Sequence, residues 1–315
     1  MTTIDPTSFK TFKFFLATIL VYLFASKPAY AIANIKPWQP IFQGIEYSRG
    51  SLGDHQSYQI VNAMRVDLTN PHIHFFSTPK SVGLSSPNQT ITQTTSRFLE
   101  QYKLQVAVNA NYFHHSPLLI SLPTPLLGLA ISDSQLVNPA LQGNTTSLAI
   151  KQNNSASIVN YRIGSAPTDA YTVVSGIPEL LRNGQILPVD NNKIDSRTAA
   201  GITQDGKYLI LLTIDGRRFA PSDGATLYQT AQWLQKFGAY NGVNLDGGSS
   251  STMVRQGLNG SAQVLNDPKD FGIERPVGNN LGIFAPTLDI AETVTFTTGF
   301  IPFAMGVSLL RSAKN

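Results

Sequence analysis

The sequence predicts a single α+β domain over about residues 45–290, rich in sheet, with a few helices packed on the sheets. Three observations carry that expectation. Most apolar runs are short, β-branched and bounded by Gly, Pro, Asn or Asp, which is how strands and tight turns are written. Two stretches instead show helical spacing. The 315 residues are 42% hydrophobic and 13% charged with no Cys, so the chain is long enough to bury a large core and too poor in charge for a disordered protein or a coiled coil.

In chain order, Lys10 and Lys13 precede an apolar run at 14–25, followed by Pro28 and the small-x-small triplet Ala29-Tyr30-Ala31. That order reads as a secretory signal peptide over residues 1–31. The apolar run is about half of the roughly 20 residues a spanning helix needs. An uncleaved anchor is the alternative, and it is the one route to membrane contact. Removing 1–31 takes away Lys10, Lys13, Lys27 and Asp5, so the net charge falls from +4 to +2. Basicity that mild and dispersed argues against a nucleic-acid partner. The expected location is secreted, periplasmic or in the cell envelope.

Tyr58–Leu68 and His72–Phe76 read as two arms of a hairpin around Asn70-Pro71. Gln105–Asn109, Ser147–Lys151, Tyr171–Ser175, Thr198–Thr203 and Tyr208–Ile214 read as further strands. The last two join through Gln204-Asp205-Gly206-Lys207, where Asp-Gly tolerates the positive φ of a tight turn. Thr94–Lys103 places Phe98, Leu99 and Tyr102 on one helical face. Gly224–Phe237 sets Leu227, Ala231, Leu234 and Phe237 at helical spacing, with Ser222 and Asp223 as starting caps and Gly238 as the stop. The apolar stretch 299–310 contains Pro302 and is too short to span a bilayer, so 291–315 is expected to be a C-terminal tail.

Several chemistries drop out. Without Cys there is no disulfide scaffold, thiolate zinc site, iron–sulfur cluster or cysteine nucleophile. Residues 201–207 imitate a phosphate-binding loop, but Tyr208 stands in place of Ser/Thr and a strand follows. Residues 247–251 lack the second Gly of a nucleophile elbow. His72 and His74 share a strand face without a third ligand nearby, and the adjacent His114 and His115 would point to opposite faces. No metal site or cofactor is expected, although a divalent ion held by backbone and Asp oxygens stays open.

Four segments share another pattern, an apolar strand meeting small and polar residues, where a rigid element presents side chains to a cleft. They are AVNANYF (107–113), DSRTA (195–199), YNGVNLDGGSSSTM (240–253) and ERPVGNN (274–280). Asn244 and Asp246 flank Leu245, so on a strand they would share a face. Gly247-Gly248 removes two side chains beside the carboxylate and opens backbone amides to an anion. An acid beside such amides suits a phosphate-bearing or sugar substrate. On spacing alone, an Asp-Gly-Gly turn followed by a solvated Ser run is the favoured reading.

Taken in order, AVNANYF, SRTAAGIT, IDGRR with the helix after it, NLDGGSSSTMV and ERPVGNNLGIF resemble the phosphodiester glycosidase family over most of the mature chain. The resemblance implies an α+β fold and a glycosidase that hydrolyses a sugar-1-phosphodiester, with a glycan or sugar phosphate as partner, in envelope or extracellular polysaccharide metabolism. It carries over to Asn109, Arg197, Asn244, Asp246, Gly247, Gly248, Arg275 and Asn279. Asp246 is the expected catalytic carboxylate and Glu274 the second one. Arg197 is the expected phosphate clamp, because guanidinium presents a planar fork to phosphate oxygens; a structural ion pair with Asp195 or Glu274 is its alternative. Asn109, Asn244 and Asn279 would orient hydroxyls or phosphate, with Tyr112 or Phe113 as a stacking wall or as core. Asp215 and Arg217 read as a charged turn, with contacts at the rim of the site as the alternative. Two departures stand out: Ala110-Asn111 replaces a glycine pair, and Ser249 replaces a common third Gly. Either would narrow the pocket or change the sugar accepted. A noncatalytic envelope protein that binds or helps export a glycan is the alternative function. A metal-assisted general phosphodiesterase is a third, disfavoured by the lack of a clustered ligand set.

Overall fold

The computed structural model describes residues 33–288, apart from 54–57, 82–88, 115–119, 141–144, 166, 190–191, 217–221 and 270–271. The expected signal segment 1–31, the tail 291–315, His115 and Arg217 lie outside the described residues. Among the described residues strand accounts for 46% and helix for 9%, so the fold is a mostly-β member of the α+β class.

Three larger sheets carry the structure, and their described pairings are antiparallel. In the first, Ile45–Gly53, Tyr58–Asp67, Tyr208–Ile214, Arg197–Ile202, Asn241–Asn244 and Glu179–Arg182 lie side by side. In the second, Met253–Gln256, Val106–Asn109, Asn280–Phe284 and His74–Ser77 are neighbours. The third is built around Ala170–Gly176 and Thr146–Lys151. Alternation within strands explains how the layers meet. Ala200, Ile202, Leu209 and Leu211 point into a core that also takes Val106, Val108 and Leu281 from the second sheet and Leu148 and Val174 from the third. Their neighbours Ala199, Ile210, Leu212 and Ile214 point the other way. There they pack under helix α2 (Leu227–Lys236) with Leu227, Ala231, Trp233 and Leu234. A strand covered on both faces needs a continuous apolar run, and Arg197–Ile202 is buried at every position.

Helix α1 (Thr95–Tyr102) is capped by Thr94, whose side chain accepts from the Arg97 amide, and it ends at Lys103 in the left-handed region. Helix α2 starts later than expected. Its cap is Thr226, in a reciprocal capping box with Gln229, rather than Ser222 or Asp223. Those two residues instead tie the helix approach to a strand: the Tyr58 amide donates to Asp223 Oδ2 at 3.0 Å and the Ile60 amide to Ser222 Oγ at 3.2 Å. Gly238, with φ of 99°, terminates the helix as expected.

The hairpin expected around Asn70-Pro71 does not form. Tyr58–Asp67 pairs with Ile45–Gly53 and Tyr208–Ile214, whereas His74–Ser77 pairs with Asn280–Phe284 in another sheet. Between them Asp67 Oδ1 accepts from the Thr69 amide and Asn70 Oδ1 from the His72 amide, each at 2.9 Å. These two side-chain turns carry the chain from one sheet to the other, and Met64, Val66, Ile73 and Phe75 all enter the same core. His72 and His74 are exposed.

Candidate active site

The four segments singled out in the sequence meet at one end of the sheets. Asn109 closes the Val106–Asn109 strand and pairs in register with Asn280, while Asn244 pairs with Ala199. Beyond these strand ends lies a cleft of about 480 Å³ whose walls include Tyr112, Asp195, Arg197, Asp246, Ser250, Lys269 and Arg275.

Asp246 faces this cleft at the end of the Asn241–Asn244 strand. It keeps part of its surface open. Its surroundings are nevertheless so dry that burial pushes the carboxyl up to about 7, against the opposing effects of the Ser250 hydroxyl, the Gly247 amide and the Arg275 charge. The strand stops at Asn244, so the strand alternation expected to set Asn244 and Asp246 on one face does not run on to Asp246; Leu245 between them is core. The glycines also act differently. The Gly247 amide bonds the Asp246 carboxylate, and the Gly248 amide donates to Ser196 O at 2.8 Å, so neither is free for an anion. Gly248 has φ of 63°, and a Cβ on Gly247 would stand 2.9 Å from Ser196 O; close backbone packing is what these glycines permit.

The asparagines form the scaffold beneath the cleft. Fully buried Asn109 donates to Asp246 O at 2.6 Å and accepts from Thr198 Oγ1 at 2.7 Å and the Thr252 amide at 3.1 Å. It thereby fixes the backbone of the catalytic candidate rather than reaching a ligand. Asn279 accepts from the Thr78 amide and donates to Asn111 Oδ1 at 2.8 Å, again wholly inside. Asn244 donates to the Tyr112 hydroxyl and to Ile177 O, each at 2.7 Å, and its Oδ1 is buried without a partner among the described residues. Burial pushes the Tyr112 phenol up to about 12.

Arg197 lines the cleft, although it is only 7% exposed. Its Nε donates to Ala225 O at 2.9 Å and its Nη2 to Lys193 O at 2.5 Å. Two of its five N–H donors are thus spent on main-chain carbonyls, which orients the fork. Burial lowers its pKa, with Tyr112 and Asp195 acting in the other direction. The ion pair with Asp195 weighed as its alternative belongs to lysines instead. Asp195 meets Lys269 Nζ at 2.5 Å and Lys193 Nζ at 3.1 Å. Burial alone would raise Asp195, but the two lysines outweigh it and hold the carboxyl below its ordinary range.

Glu274 is not brought to the cleft. Both of its carboxylate oxygens bind Ser96, Oε2 accepting from the amide at 2.9 Å and Oε1 from the hydroxyl, so it serves the first turn of α1. Its neighbour Arg275 reaches the cleft instead. Phe113 is both things weighed for it, a cleft wall and 9% exposed core. Asp215 is no surface turn: it is 5% exposed, and burial pushes it up to about 7. Lys193 and Lys269 escaped the sequence reading. Lys269 lies 74 positions from Asp195, and an isolated Lys in a Pro-containing loop carries no local signal. Among the described residues no group of three His, Cys, Asp or Glu side chains converges as metal ligands would.

A family model described as phosphodiester glycosidase matches residues 102–284. The chain is 33% identical over 103 residues to the N-acetylglucosamine-1-phosphodiester alpha-N-acetylglucosaminidase of Bos taurus, covering 27% of this chain and 19% of that protein. It is 26% identical over 175 residues to the Mus musculus protein of the same name, covering 49% of this chain and 32% of that one. The matched stretches therefore span a third or less of these relatives. The zebrafish catalytic domain of that name, in a form auto-inhibited by its pro-peptide, shares the fold with a TM-score of 0.57 at 22% identity, over 82% of this chain and 85% of that one.

Proposed function

Since the chain belongs to the phosphodiester glycosidase family, we propose that it is a secreted hydrolase that cleaves a sugar-1-phosphodiester during envelope or extracellular polysaccharide metabolism. The observation that carries this reading is the pairing, in one cleft, of a dry carboxyl poised near neutrality with a cluster of cations. Arg197, Arg275, Lys193 and Lys269 face two carboxylates, so the cleft favours an anion. Two carboxyls pushed apart in pKa also divide the work, Asp195 staying ionised to hold the lysines while Asp246 exchanges a proton.

In the proposed reaction, water attacks the anomeric carbon, the carbon–oxygen bond to phosphate breaks, and the phosphate monoester leaves with the bonding pair. The water proton passes to Asp246. Phosphate is already a good leaving group, so the protein's task is to hold the anion and supply the base. Arg197 presents its remaining donors to the phosphate, while Tyr112 and Phe113 wall the sugar. Asn109 and Ser250 set the position of Asp246. Incubating the secreted form and Asp246→Asn with a sugar-1-phosphodiester tests this assignment. The variant should lose at least a hundredfold in rate, as for a general base; equal release by both proteins would sink it.

A further inference from the structure

The cleft does not end at Arg197. Arg197 and Tyr112 are also walls of an adjoining cavity of about 490 Å³, a size suited to a small-molecule site. Its character is opposite to that of the cleft. Leu127, Ile177, Pro178, Val189 and Leu227 supply an apolar lining, and the polar exceptions are the shared pair with Asn244. Arg197 therefore stands between a lobe rich in charge and hydroxyls and a lobe that is mostly hydrocarbon. Asn244 marks the floor of the second lobe. It is 1% exposed, and its Oδ1 has no donor among the described residues, an arrangement that costs stability unless a ligand hydroxyl or amide supplies one.

Resting on the phosphodiester reading above, we propose that this second lobe is the subsite for the alcohol side of the substrate and that the alcohol is apolar, an alkyl, isoprenoid or aryl group. A sugar is polar on every edge and fits the lobe lined by Asp246, Ser250 and Lys269. The phosphate between the two parts then sits where the two lobes meet, at the guanidinium. An apolar alcohol leaves water on entering the hydrocarbon lobe, and this supplies affinity that a methyl ester lacks.

Calorimetric titration of the intact chain with methyl phosphate and hexyl phosphate, below micellar concentrations, tests the proposal. Hexyl phosphate should bind at least tenfold more tightly than methyl phosphate. That gain should vanish in Val189→Asp and in Leu127→Asn, two positions so that one misfolded variant does not end the test. It should persist in Leu258→Asp, on an exposed loop that lines neither lobe. Equal affinities for the two esters, with methyl phosphate still bound, would overturn the apolar subsite and leave the anion site standing. A gain that survives both lobe variants would overturn it as well. If neither ester binds, the anion site fails and the subsite falls with it.

Discussion

Asp215 offers a test of the electrostatics that the proposed chemistry depends on, at a site outside the cleft. It follows the Tyr208–Ile214 strand, and its Oδ1 accepts the Asp267 amide at 3.1 Å. Burial dominates, and the carboxyl is pushed from 3.8 to about 7 despite that hydrogen bond and the Arg49 charge. A raised carboxyl means the folded chain keeps a proton that the unfolded chain has released, so stability declines as pH rises through the window from about 4 to about 7. A gap of about 3 units at ~1.4 kcal/mol each makes the full cost about 4 kcal/mol above pH 7. Asp215→Asn resembles the protonated form and cannot ionise. Its stability relative to the parent should be near zero difference at pH 4 and rise to as much as about 4 kcal/mol in the variant's favour at pH 8. Urea denaturation of both proteins at pH 4.5, 6 and 8 reads this directly, because groups common to both cancel in the difference. A difference that is the same at all three pH values would refute the reasoning. So would a variant that loses stability relative to the parent as pH rises.

Asp246 should show its raised carboxyl in activity: kcat/KM on a sugar-1-phosphodiester should climb with pH through about 7 and then level, and a flat profile between pH 5 and 8 would remove the general base. Gly176→Ala should destabilise by more than about 2 kcal/mol, because its Cβ would stand 1.9 Å from Asn244 O, and thermal melting within a degree or two of the parent would contradict that packing. Glu274→Gln should cost roughly 1 kcal/mol by weakening the first turn of α1, with kcat unchanged; a kcat loss of a hundredfold would return Glu274 to the chemistry.

The strands at the centre of the large sheet were legible because they are short, mostly apolar runs bounded by turn residues such as Asp205-Gly206. Tyr208–Ile214 has the predicted bounds, and Arg197–Ile202 differs from Thr198–Thr203 by one residue at each end. Pairing partners were not legible. The strand ending at Asp67 and the one starting at His74 are adjacent in sequence, yet the choice between one sheet and two rests on residues near 210 and 280. The same distance in sequence hid Lys269 from Asp195. Local rules also misread Asp246 and its glycines. Leu245 looked like a strand position between two outward polar residues, but the strand stops one residue earlier and the glycine amides are consumed by Asp246 and Ser196. Glu274 was placed in the cleft by its motif, and it is the next residue, Arg275, that arrives there.

The three residues that make up the two departures from the family pattern also separate once their surroundings are known. Ala110 is fully buried among the core residues shared by the sheets, so its methyl fills interior space instead of narrowing the cleft. Asn111 is buried too, and each of its hydrogen-bonding positions is used: Nδ2 donates to Leu127 O and Leu129 O, and Oδ1 accepts from Asn279 Nδ2 and the Ser175 amide. A buried amide satisfied four ways is a crosslink. It holds the Asn279 segment, the third sheet and the loop at Leu127 against one another, which a glycine could not do. Both changes therefore act on the frame. Ser249 alone among the three lines the cleft, within the turn that carries Asp246. Of the altered residues only Ser249 can touch a ligand in the cleft, because Ala110 and Asn111 are fully buried.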